Sequence, residues 1–209
     1  MRKSLWMALI LALFALAAPN PLKADSSTVI NFEGLPDSTI VTTQYAGLTF
    51  SNAIILTAGV SLNEFAFPPR SGTNVVSDNG GPMSIHFSTP ITSFGGYFTY
   101  TEPLTIDGFN SVGTLVATAA SLFSSNTAVF GEPGSSPNEF IDVTFGGGIS
   151  AVTITGDPLG GSFTLDDATY TTSSTVPTPE PSSVALMLLG VGLVFVMRKR
   201  IAQRLPQAS

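Results

Sequence analysis

His86 is the only histidine in the chain, and it stands in the run Met83-Ser84-Ile85-His86-Phe87-Ser88. Apolar and polar residues alternate there with the period of a half-buried strand, which puts His86 on the face opposite Met83, Ile85 and Phe87. A nucleophilic triad needs such a histidine between an activated serine and an orienting acid, and no Gly-x-Ser-x-Gly elbow is present. One histidine without any cysteine does not make a zinc site, and the absence of cysteine also excludes thiol nucleophiles and disulfides. Glycoside hydrolysis needs two carboxylates about 5–10 Å apart. Glu33, Glu64, Glu102, Glu132 and Glu139 carry that chemistry, but none lies in a motif, and their separation across a β fold is not fixed by the sequence. The expectation is a protein that is not an enzyme, with a secreted glycoside hydrolase or lyase as an alternative.

Aromatic residues are the other chemical resource. In Tyr97-Phe98-Thr99-Tyr100, alternation places Phe98 and Tyr100 on one face and Tyr97 on the other. An aromatic ring with a polar tip can stack on a sugar, so Tyr97 and Tyr100 are candidate ligand-binding residues. Phe65 and Phe67, near Arg70, form a second candidate platform. The only tryptophan, Trp6, lies at the extreme N-terminus. Asp78-Asn79-Gly80 begins like a calcium loop but lacks the alternating acids and terminal glutamate of one, and reads as a turn.

Short strands must position these groups. Expected strands are Thr28–Phe32, Thr39–Thr42, Gly47–Leu56, Met83–Phe87, Ile91–Tyr100, Leu104–Phe109, Thr114–Ala119, Ala128–Phe130, Glu139–Phe145, Ile149–Thr155 and Ser162–Tyr170. Gly95-Gly96 marks a bulge or bend, Asn110–Gly113 a hairpin turn, and Gly146-Gly147-Gly148 a break between two strands that answer each other. Gly59–Gly72 reads as a long surface loop. Ten to twelve short strands without a helical period predict an all-β fold, an antiparallel β-sandwich of the jelly-roll type spanning 25–170.

The termini differ from this body. Arg2 and Lys3 precede the apolar run Leu5–Ala18, the layout of a secretory signal peptide spanning 1–24, with cleavage after Ala17 or Ala24. At the other end, residues 171–183 are a Thr/Ser/Pro linker containing Pro179-Glu180-Pro181. Val184–Met197 is an uncharged apolar helix candidate, and Arg198-Lys199-Arg200 opens a basic tail over 198–209. At about 1.5 Å per residue the apolar run covers about 21 Å, short of the roughly 30 Å hydrocarbon layer. The basic cluster predicts a single transmembrane helix with its C-terminus in the cytoplasm. Arg70 is the only Lys or Arg between Asp25 and Pro181, a stretch that holds all 14 acidic residues. A body this acidic repels phosphate backbones, so nucleic acid is not an expected partner.

The order Pro179-Glu180-Pro181, apolar helix, Arg198-Lys199-Arg200 resembles the PEP-CTERM sorting signal of exported bacterial proteins. That resemblance implies passage through the secretion machinery, a membrane-anchored precursor cut by an exosortase, and a place at the cell surface beside exopolysaccharide. Asn31–Pro36 and Gly161–Asp167 resemble the first and last strands of carbohydrate-binding, galactose-binding-like jelly rolls. Those modules often hold a structural calcium ion between the two strands. The resemblance implies a calcium site drawing on Glu33, on Asp166 or Asp167, and on Asn74, since calcium takes six to eight oxygens. The expected role is a non-enzymatic surface or matrix component, with a calcium-stabilised glycan-binding module as the alternative.

Overall fold

The computed structural model describes residues 24–174, so the expected signal peptide (but for Ala24), the expected linker from residue 175 on with its Pro179-Glu180-Pro181, the expected transmembrane helix and the expected basic tail lie outside the described residues. Every regular element in the described residues is a strand: β1 (Ala24–Ile30), β2 (Leu48–Ser51), β3 (Ala53–Thr57), β4 (Asn74–Asn79), β5 (Met83–Tyr100), β6 (Thr105–Phe109), β7 (Leu115–Ala120), β8 (Glu139–Thr155) and β9 (Gly160–Ser174). The pairings between named strands for which a register is given are all antiparallel.

Two long strands, β5 and β8, organise the rest. Their first pairing zone joins Met83–His86 to Ala151–Ile154, and their second joins Ser93–Phe98 to Glu139–Thr144. Between them the register is irregular around Ile91↔Ile149. Gly148 has a φ of 98° there, and a Cβ on it would lie 3.1 Å from Pro90 Cβ. Proline on one strand and a left-handed glycine on the other let both strands bend without ending. On one side of the bend the order is β2-β5-β8-β6-β7; on the other it is β3-β4-β9-β5-β8, with β1 also pairing β9. Both halves turn apolar residues into one core: Met83, Ile85, Ile106, Val152 and Ile154 from the first, Ile55, Val76, Phe98, Tyr100, Phe163 and Leu165 from the second.

Several expected boundaries shift. Gly47–Leu56 is two strands, split at Asn52, whose φ of 55° suits asparagine, and the halves pair with different partners, β5 and β4. The strands expected separately at 83–87 and 91–100 are one bent strand, and so are the mutually paired strands expected at 139–145 and 149–155. Consequently Ile141 and Val143 do not answer Ile149 and Val152; both sets pair with β5. β4 begins after the expected loop, which ended at Gly72, and takes in Asp78 and Asn79 of the expected turn; Ala128–Phe130 is a turn, and β9 continues through Ser174 into the expected linker.

Candidate functional site

Alternation holds for Met83–Ser88: Met83, Ile85 and Phe87 are buried, and His86 and Ser88 are exposed. On the same strand Phe98 and Tyr100 share the inner face, as the period requires, and both are fully buried. This corrects the reading of Tyr100 as a sugar platform. Its hydroxyl donates to Glu139 Oε2, and burial together with that carboxylate pushes its pKa up to about 12. Glu139 Oε1 in turn accepts Leu122 N–H, so this pair ties the 121–126 loop to the sheet.

Tyr97 faces outward and belongs to a ledge. Its register partner on β8 is Phe140, half exposed, with ring centroids 5.2 Å apart. The guanidinium carbon of Arg70 sits 4.6 Å from the Tyr97 ring centre, a cation–π contact. Gly95 makes the ledge flat: a Cβ there would lie 3.1 Å from Phe140 Cζ and 2.6 Å from Asp142 Cβ. Without that Cβ, the Phe140 ring closes over the strand backbone. Phe140 was missed in the sequence because Glu139–Phe145 alternates around Ile141 and Val143, which leaves Phe140 as one more outward residue. Phe65 is exposed, but neither it nor Phe67 joins Arg70 in an aromatic stack.

The four expected calcium residues gather around one loop, 70–74, as its anchors. Glu33 Oε1 accepts the N–H groups of Thr73 and Asn74, each at 2.8 Å, and Oε2 accepts the Thr73 hydroxyl. Gly72, at φ 54°, lies directly beneath that carboxylate, where a Cβ would collide with it. Asn74 donates to the carbonyls of Phe32 and Leu35 and accepts from the Thr57 hydroxyl. Asp166 Oδ2 accepts Arg70 and Ser71 N–H at 2.8 Å each, and Oδ1 accepts Asp167 N–H at 2.7 Å. Asp167, at the bulge of β9 with φ 46°, accepts the Ser71 hydroxyl. Burial pushes the Asp166 carboxyl up to about 6 against the pull of its amide donors. Calcium takes six to eight oxygens, carbonyls as well as carboxylates, and its carboxylate ligands turn their oxygens toward the shared centre. Here they are turned toward amide and hydroxyl hydrogens, and among the described residues no three acidic or histidine side chains converge. The set as arranged does not fit the ion.

A third carboxylate follows the same pattern. Asp78, expected in an exposed turn, lies buried in β4 and accepts Ser162 N–H, Phe163 N–H and the Ser162 hydroxyl, each at 3.0 Å. The Tyr45 hydroxyl is buried and has no hydrogen-bond partner among the described residues; burial first, and the Glu33 charge second, raise its pKa.

Beyond the described body, the model of the PEP-CTERM protein-sorting motif matches residues 177–201. The chain carries a PEP-CTERM sorting motif. The match takes in Pro179, Glu180 and Pro181 and, at its other end, Arg198, Lys199 and Arg200. No curated protein matches this chain. Among solved structures, its body is similar to the K2 cleaved adhesin domain of Lys-gingipain, at 17% identity and a TM-score of 0.44, over 69% of this chain and 99% of that one. It is also similar to a family 6 carbohydrate-binding module, at 12% identity and 0.35, over 65% and 92%. A third likeness is to a family 43 arabinoxylan arabinofuranohydrolase from Bacillus subtilis, at 18% identity and 0.34, over 69% of this chain and 30% of that one.

Proposed function

We propose that this PEP-CTERM protein is exported behind its signal peptide, held in the inner membrane by Val184–Met197, and released by an exosortase to the cell surface. There its jelly-roll body serves as a non-enzymatic matrix component associated with exopolysaccharide. The sorting-motif match at 177–201 carries this reading. The confinement of positive charge to the two ends, with Arg70 the sole exception in the body, supports it. The test is the mass of the mature protein in membrane and extracellular fractions. Loss of both ends is expected, and deletion of Pro179–Pro181 should trap the C-terminally intact form in the inner membrane. Unchanged release of the deleted form would defeat the proposal.

A second reading is favoured by the Tyr97–Phe140 ledge, where two adjoining rings lie beside the Arg70 guanidinium, with the exposed Asp142 two residues further along β8. Ring faces flanked by polar groups suit a sugar. Replacing the half-exposed Phe140 by alanine should abolish retention on polysaccharide without altering the melting temperature; full retention would remove the ledge from the account.

A further inference from the structure

On the other half of the molecule, the outer face of β2-β5-β8-β6 bears a feature that the ledge does not involve. Thr49, His86, Ala151 and Phe109 are register neighbours across the four strands and share that outer face. A cleft of about 350 Å³ opens on one side of His86, between Thr43, Tyr45 and Thr49. A second, of about 340 Å³, opens on the other side, between Phe109, Asn110, Ser111, Ser150 and Thr153. His86 lines both clefts, so the two adjoin at its imidazole and lie in line across four strands, a two-part groove about 14 Å long at the usual strand spacing. Ala151 gives it a low floor beside the imidazole.

The lining decides what fits. In a body holding all but one of its charges as carboxylates, neither cleft is lined by an acidic side chain, a lysine or an arginine. It offers hydroxyls, one imidazole, the Tyr45 and Phe109 rings with Leu48 and Phe87 beside them, and the Nδ2 of Asn110, whose Oδ1 already accepts the Val112 and Thr114 N–H groups. A polyanion finds no cation there, and an acyl chain would strand those hydroxyls without partners. A peptide adding as a strand needs a sheet edge, whereas His86 and Ala151 lie on strands paired on both sides. We infer that this groove is a binding site for an uncharged polysaccharide segment, with His86 stacking at its centre and the flanking hydroxyls and Asn110 bonding to sugar hydroxyls. It rests on the glycan-binding reading above and adds a second site of stated ligand class. A chain with two such sites on different half-sheets can bridge polysaccharide strands.

Because His86 is the only histidine, its ring resonances in a histidine-labelled, untagged full-length chain report the groove without ambiguity. The chain is held in a detergent without a sugar headgroup and titrated with neutral glucan, mannan and galactan hexasaccharides, and with a hexauronate. At least one neutral hexasaccharide should shift the His86 signals saturably, and the hexauronate should not. Ala151→Phe, which raises the groove floor at an outward position, should weaken that binding about tenfold or more, and His86→Ala should do the same by calorimetry. Phe140→Ala should leave the His86 shifts intact. No response to any neutral hexasaccharide, an equal response to the uronate, or full affinity in Ala151→Phe would overturn the assignment. The ledge reports through Phe140, so its failure is read separately.

Discussion

Replacing Asp78 with alanine strips the acceptor from two consecutive backbone amides, Ser162 and Phe163, and from the Ser162 hydroxyl. Asp78 and Ser162 are each 2% exposed and Phe163 is 1% exposed, so water has no route to replace the carboxylate. A buried donor left without a partner costs about 1–3 kcal/mol, so the two amides together cost about 4 kcal/mol. Against a total of about 5–15 kcal/mol for a domain, that is a large fraction. Asp78→Asn keeps one acceptor oxygen at the same place and volume, and should cost about 1 kcal/mol. The difference between the two variants is informative, because a carboxylate held by charge attraction would lose as much on becoming an amide as on becoming alanine. Urea unfolding of residues 25–174, followed by far-ultraviolet circular dichroism, measures both. Equal costs for Asn and Ala, or a cost below about 1 kcal/mol for Ala, would refute the role assigned to these amides.

Asp166 gives a pH prediction. Its carboxyl lies near 3.8 in the unfolded chain and at about 6 in the fold, so between those values the native state binds more protons than the unfolded one. Stability contributed by this group is therefore full at low pH and is lost as pH rises from about 4 to about 6, by up to about 3 kcal/mol. The difference in unfolding free energy between the parent and Asp166→Asn should drift over that window and be flat above it; a flat difference throughout would remove the burial effect. Chelation is the other perturbation. With both carboxylate oxygens of Glu33 and Asp166, the Asn74 amide oxygen and Oδ1 of Asp167 engaged by internal donors, a chelator should leave the melting temperature unchanged. A fall of several degrees, reversed by added calcium, would restore the ion to the site.

Much of the fold was legible where one face alone is buried. Met83–Ser88 alternates cleanly, and, although Thr99 on the Tyr97 side is buried as well, alternation assigned the faces of His86 and of Phe98 relative to Tyr97 correctly. It could not say which of the two faces meets the core, which is why Tyr100 read as a platform. Pro90 and Gly146–Gly148 read as strand ends because proline removes a ladder donor and glycine weakens a strand. In the fold Pro90 and Gly148 face each other at one bend, a relation between positions 58 residues apart that no local window contains. The end of β4 was hidden for a similar reason: Asp78 looks like a turn residue until its partners are known, and those lie 84 and 85 positions later. The candidate metal residues were rightly brought into one neighbourhood, but residue type alone does not tell a carboxylate that binds a cation from one that binds amides.

That distinction follows from the charge distribution. With Arg70 the only Lys or Arg from Asp25 to Pro181, and stacked on Tyr97, the body has almost no cations with which to meet its carboxylates. Three of them solve the problem in one way, each accepting two consecutive backbone N–H groups: Glu33 from Thr73 and Asn74, Asp166 from Arg70 and Ser71, Asp78 from Ser162 and Phe163. A carboxylate–amide bond has roughly twice the strength of a neutral one and pairs no two mobile side chains. Being short-range and partly or wholly buried, it is also less exposed to screening than a surface ion pair. For a body proposed to work outside the cell, where ionic strength is not regulated, anchoring loops through amides keeps the surface acidic and leaves the tertiary contacts independent of salt. The same anchoring holds the 70–74 loop, and Arg70 with it, against the Tyr97–Phe140 ledge, so the stability and the binding chemistry proposed here share a single physical cause.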